Sequence, residues 1–215
     1  MEALRFTTED GVSLEGDLHL PERGLRRSAV ICHPHPRHGG SKDHPLLWAI
    51  RGELTLRGFA VLAFNFRGVM RSAGSYGGGR TEVRDVAAAI GRVREATEGP
   101  TLVCGWSFGA NVALRAAVGD ERVAALALVG IPLGDAAVDL PPLPGPSELR
   151  AFDRPVLLLS GEGDTFSPRP ELDDLARKLP NAELEIAHGT DHFFWRREQE
   201  AAALIGSFTQ QLLPR

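Results

Sequence analysis

A Gly-x-Ser-x-Gly stretch, Gly105-Trp106-Ser107-Phe108-Gly109, constrains this chain more than any other feature. In a chain with 24 glycines the bare pattern is weak, and its surroundings give it weight. Thr101 to Cys104 form a short apolar, β-leaning run, and Ala110 to Val118 are mostly good helix formers closed by Gly119. Strand, serine, helix is the context of a nucleophile elbow. A chain that turns from strand to helix within one residue folds sharply back on itself. Side chains two before and two after the turn would collide, so Gly105 and Gly109 carry none. Ser107 is then held in a strained conformation with its hydroxyl beyond the end of the sheet. The N–H of Phe108 sits at a helix N-terminus, where partial positive charge favours a developing oxyanion.

The rest of the chain alternates between two periodicities. Ala3 to Thr8 reads as a strand and Glu9-Asp10-Gly11 as a turn. Val12, Leu14, Leu18 and Leu20 then fall on one face of a second strand, which makes an opening antiparallel hairpin. Pro21 to Arg27 reads as a loop. Ser28–Cys32, Phe59–Phe66 and Val123–Ile131 are short apolar runs of the kind that become buried parallel strands, and Val156–Ser160 and Ala182–Ile186 read as two further strands. Helices are expected from near Pro45, capped by Asp43 and stopped by Gly58, over Thr81–Thr97 and Glu171–Leu179, and through Leu204, Ile205, Phe208 and Leu212. Such alternation predicts a mainly parallel sheet of about eight strands with helices on both faces. Residues 1–215 fit one domain, with the proline-rich segment 132–155 as a short cap.

A net charge of −4 gives no reason to expect nucleic acid or an anionic membrane surface as a partner. The first residues lack an apolar signal core, and no apolar run is long enough to span a bilayer. Two cysteines, Cys32 and Cys104, make no disulfide framework; they are expected near each other and reduced. The expectation is a cytoplasmic monomer or homodimer acting on a small-molecule acyl substrate without a cofactor.

In such sheets chemistry gathers beyond the carboxyl ends of the strands. Four unusual loops fall there: His33–Gly40, Gly105–Gly109, Gly161–Asp164 and Gly189–His192. A serine is a poor nucleophile without a base in hydrogen-bond reach, and His192 is the best candidate. Asp164 lies between the two in sequence, completing the order Ser, acid, His. His188 is a rival base; Glu162 and Asp191 are rival acids. A second oxyanion donor should come from the loop after Cys32. Pro34 and Pro36 have no N–H, which leaves His35, Arg37 or His38. His33, His35, His38 and His44 also invite a metal reading, but no Asp joins them at metallohydrolase spacing and two prolines stiffen the group. No metal is expected, and His33 is read as joining loops beneath the site. Arg67 and Arg71 could hold a substrate carboxylate, or pin their own loop to Glu82 or Asp85. Trp106, Phe166, Phe193 and Phe194 are candidate pocket walls, and Trp195 stands beside them.

These segments carry a resemblance. Cys32-His33-Pro34-His35-Pro36 with Gly39-Gly40, Phe64-Asn65-Phe66-Arg67-Gly68-Val69, Ser72-Ala73-Gly74-Ser75, Gly105-Trp106-Ser107-Phe108-Gly109-Ala110 and Asp191-His192-Phe193-Phe194 resemble a bacterial α/β-hydrolase family of predicted serine hydrolases, near its dienelactone hydrolase and acyl-peptidase-like branch. The resemblance implies the α/β-hydrolase fold. It also implies Ser107 as nucleophile, Asp164 as acid, His192 as base, and His35 as the second oxyanion donor beside Phe108. Met70 stands where that family's loop commonly has Gly. Ser107 replaces the Cys of true dienelactone hydrolases, so their substrate does not carry over.

The expected function is hydrolysis of a small carboxylic ester through an acyl-enzyme. The same triad serves thioesterases and aminopeptidase-like acyl hydrolases. A metal-dependent hydrolase and a non-catalytic binding module are the readings from other classes.

Overall fold

The computed structural model describes residues 1–24, 27–97 and 99–212, so the end of the loop expected over Pro21–Arg27 lies partly outside the described residues. The elements are β1 (Glu2–Thr7), β2 (Ser13–His19), β3 (Arg27–Cys32), α1 (Pro45–Leu56), β4 (Phe59–Phe64), α2 (Glu82–Arg94), β5 (Thr101–Trp106), α3 (Phe108–Ala117), β6 (Val123–Val129), α4 (Pro146–Ala151), β7 (Val156–Gly161), α5 (Arg169–Lys178), β8 (Ala182–Ala187) and α6 (Glu198–Phe208). They form one eight-stranded sheet in the order β1-β2-β4-β3-β5-β6-β7-β8. β2 runs antiparallel to both β1 and β4; along the sheet from β4 to β8 every pairing is parallel.

The central strands are buried along their whole length because helices cover both faces. Val30, Cys32, Val103 and Leu126 pack with residues of α2, α3 and α5 on one face. Ala29, Ile31, Leu102 and Cys104 pack with α1 and α6 on the other. A fully buried leucine or isoleucine such as Leu54 or Ile50 contributes about 1.5–3 kcal/mol. The β2 pattern departs from expectation at its end: Leu14 and Leu18 are buried, but Leu20 lies past the strand and is about half exposed.

Cys32 and Cys104 are both free and buried, on adjacent strands. Their partners across the β3–β5 ladder are Gly105 and Ile31, so the two are one residue out of step. A one-residue offset puts their side chains on opposite faces, where they cannot bridge.

One expectation about helix ends is corrected. Asp43 does not cap α1; it faces the Lys42 ammonium, and the imidazole of His44 accepts the Leu46 N–H instead. The cap segment carries more helix than its prolines suggest. It holds a 3₁₀ turn at Gly134–Ala137 and then α4, opened by Pro146 in the first turn, where a missing N–H costs nothing.

Candidate active site

Ser107 has φ 56° and ψ −123°, a backbone conformation that L-residues avoid, at the single-residue junction between β5 and α3. The glycines around it are there for the predicted reason. A Cβ on Gly105 would lie 2.3 Å from the Gly109 carbonyl oxygen, and one on Gly109 would lie 2.3 Å from the Cys32 carbonyl oxygen. The Ser107 N–H donates to the Val129 carbonyl at 2.8 Å, fastening the strained residue to β6. Among the described residues the N–H of Phe108 donates to no protein acceptor, as befits the first residue of a helix.

The loops after β7 and β8 are packed together. A Cβ on Gly161 would lie 2.5 Å from the Asp191 carbonyl oxygen, and Gly163 N–H donates to the Thr190 carbonyl at 2.9 Å. This contact brings Asp164 beside His192. Asp164 Oδ2 is 2.9 Å from His192 Nδ1, and His192 Nε2 is 3.0 Å from Ser107 Oγ. A carboxylate only accepts, so the imidazole proton lies on Nδ1 and Nε2 is free to accept from the serine. Asp164 Oδ1 accepts the N–H groups of Phe166 and Ser167 at 2.8 and 3.2 Å, and the Ser160 hydroxyl reaches Oδ2 at 3.3 Å. The indole N–H of Trp106 donates to the His192 carbonyl at 3.1 Å, and the Phe166 ring lies 4.4 Å from the imidazole. Serine, histidine and aspartate are all nearly buried.

Residues 28–211 match a family model described as an alpha/beta hydrolase domain. The chain belongs to that family. A serine hydrolase without a lid from Xanthomonas campestris is 27% identical, with a TM-score of 0.83 over all of this chain and 95% of that one. A serine hydrolase homologue from Coxiella burnetii is 26% identical, with a TM-score of 0.84 over 99% and 97% of the two chains. An uncharacterized Rickettsia prowazekii protein is 26% identical over 194 residues, 84% of this chain and 77% of its own.

In this α/β-hydrolase domain, Ser107 and His192 open into a cleft of about 410 Å³. Phe108 and His35 line it, as do Trp106, Phe166 and Phe193. Phe194 does not. It is fully buried in the core with Ile31 and Ile205, at φ 53°, so the expectation of a pocket wall there is corrected. Among the described residues the cap segment contributes Pro132, Ala136, Asp139 and Leu140 to its lining.

The rivals in sequence lie elsewhere. Glu162 is exposed, accepts the Gly189 N–H at 3.0 Å and faces His188 at 3.5 Å. Asp191 accepts the Phe193 N–H of its own turn. His33 is fully buried: Nδ1 donates to the Pro34 carbonyl at 2.7 Å and Nε2 accepts the Phe66 N–H at 3.0 Å. It joins two loops beneath the site, and burial pushes its pKa down to about 4. His44 caps α1 and packs at a tilt against Trp106, at the edge of the cleft. Arg67 donates to Asp85 at 2.7 and 2.9 Å and to Asp10 at 2.9 and 3.1 Å, so it pins its own loop; Asp85 was among the expected partners and Asp10 was not. The Arg71 N–H donates to Glu15 and its side chain is exposed. Met70 takes φ 49° with its side chain in solvent, keeping a glycine-like turn at a cost of about 1 kcal/mol.

Sequence reading missed two residues. Gly130, just after β6, has φ 53°, and a Cβ there would lie 2.9 Å from His192 Nδ1 and 3.1 Å from Asp164 Oδ2. Tyr76, the one tyrosine of the chain, bonds to His35 at 3.0 Å. No helix among the described residues is long and apolar enough to cross a membrane.

Proposed function

We propose that this protein is a serine hydrolase that cleaves small carboxylic esters through an acyl-enzyme. The observation that carries the reading is the continuous chain from Ser107 Oγ through His192 to Asp164, at 3.0 and 2.9 Å, at the mouth of the cleft. Ser107 attacks the ester carbonyl while His192 Nε2 takes its proton. Asp164 holds the imidazole in the Nδ1–H form and stabilises the imidazolium without taking its proton. The N–H groups of Phe108 and His35 receive the oxyanion. His192 then protonates the leaving alcohol, and a water activated by the same nitrogen cleaves the acyl-enzyme.

The likeness to a lidless serine hydrolase supports an open site, as does the short cap of this chain. The finer kinship with the dienelactone hydrolase and acyl-peptidase-like branch rests on the sequence motifs alone. A cytoplasmic setting rests on the low cysteine count of the sequence alone. Matched p-nitrophenyl ester, thioester and aminoacyl-anilide substrates test the substrate class. The ester should have the highest kcat/KM; a higher value for either of the others would move the assignment to that class.

A further inference from the structure

We propose that Tyr76 is a positioning residue of the oxyanion site: its hydroxyl fixes the His35 ring and, through it, the direction of the His35 backbone N–H. This rests on the reading of Ser107 as the nucleophile. The Arg37 N–H donates to His35 Nδ1 at 3.1 Å. An N–H can donate only to a ring nitrogen with a free lone pair, so the proton of the neutral imidazole lies on Nε2. That Nε2–H donates to the Tyr76 hydroxyl oxygen at 3.0 Å. The His35 carbonyl accepts the N–H groups of His38 and Gly40 at 3.0 and 3.1 Å. Both ring nitrogens and the carbonyl are therefore held, while among the described residues the His35 N–H donates to no protein group. A donor that waits for a transient oxyanion needs this kind of fixed surround.

The rings say the same. Tyr76 lies 5.2 Å from His35 and 5.8 Å from Phe108, and His35 lies 5.2 Å from Phe108. The side chains of the two residues whose N–H groups are assigned to the oxyanion thus meet at one tyrosine. Tyr76 is itself anchored. The next residue, Gly77, donates its N–H to the buried carboxylate of Glu82 in the first turn of α2, and Gly68 lets the chain pass close enough that a Cβ there would lie 3.0 Å from the Tyr76 nitrogen. The Arg37 guanidinium covers the outer face of the ring at 4.8 Å. Packing asks only for the ring; the hydroxyl bonds to His35.

The test is Tyr76→Phe, which keeps the ring and deletes the hydroxyl. With p-nitrophenyl acetate, kcat and the rate of fluorophosphonate labelling should both fall about tenfold or more, with KM within about twofold. His35→Ala should lose at least as much, and the double variant no more than His35→Ala alone, because both act through one interaction. An unimpaired kcat in Tyr76→Phe, a change in KM only, or losses that multiply in the double variant would overturn the proposal. Nitrogen NMR of the unmutated protein is independent of how well the variants fold. A His35 ring protonated at Nε2 and bare at Nδ1 is expected, and the opposite tautomer contradicts it. Wild-type protein that neither labels nor turns over any ester overturns the nucleophile reading and this one with it. Active wild type with an unimpaired Tyr76→Phe overturns this one alone.

Discussion

The α-hydrogen side of Gly130 faces His192 so closely that a methyl group there would lie 2.9 Å from Nδ1 and 3.1 Å from Asp164 Oδ2, pressed against the hydrogen bond that joins them. Gly130 follows the end of β6 and its N–H is fixed to the Leu159 carbonyl at 2.8 Å, so the backbone cannot retreat. Gly130→Ala should lower kcat about a hundredfold by pushing His192 off Ser107. It should also destabilise the fold by about 1–3 kcal/mol, since φ is 53° and the site is full. Steady-state kinetics beside a thermal melt check this; wild-type kcat in the variant would contradict it.

Asp164 and Glu162 stand two residues apart on one loop, yet only Asp164 reaches His192. Asp164→Asn should cost about three to four orders of magnitude in kcat, because the amide favours the wrong imidazole tautomer. Glu162→Gln should stay within about twofold. Greater damage from Glu162→Gln would reassign the acid.

Much of this was legible in the sequence for a simple reason. Strand periodicity, helix periodicity and the clash that demands Gly105 and Gly109 are local, so they survive without coordinates. The Ser107, Asp164, His192 grouping was legible because each residue lies just beyond the end of a segment that reads as a strand. What depends on which loops meet was not legible. Phe193 and Phe194 are adjacent aromatics with nothing to tell them apart, yet one lines the cleft and the other turns into the core. Gly130 looks like any strand-end glycine until β6 is set beside the loops after β7 and β8. Asp43 is the better cap by residue type, but Lys42 draws it away and His44 takes the place.

His33 should make stability fall in acid. Its pKa in the folded protein is held near 4 by burial, below the ordinary value of 6.5 that the unfolded chain keeps. Between those values the unfolded state binds more protons, so stability rises with pH across the window. The contribution is complete above about pH 6.5 and is lost as pH falls toward 4, amounting to about 3 kcal/mol. Urea midpoints between pH 7.5 and 4.5 should fall, and His33→Gln, which cannot take up the proton, should flatten the slope. An equal slope in the variant would contradict the assignment.

Acyl-chain length tests the open cleft. Among the described residues the cap segment adds Pro132, Ala136, Asp139 and Leu140 to the cleft lining, and a methylene contributes about 0.8 kcal/mol only where it is buried. Across p-nitrophenyl acetate, butyrate, octanoate and palmitate, kcat/KM should peak at the short esters, with no activation at an oil–water interface. A steady rise to palmitate would show a long acyl channel.

The most direct measurement is active-site labelling of Ser107→Ala. Purified wild-type protein should take up one fluorophosphonate per chain, on the peptide that contains Ser107, and lose esterase activity in step with labelling. Ser107→Ala should neither label nor turn over ester, while melting close to the wild-type temperature, because the Ser107 hydroxyl bonds to His192 and not to the core. Labelling that persists in Ser107→Ala, or activity that survives full labelling, would place the nucleophile elsewhere.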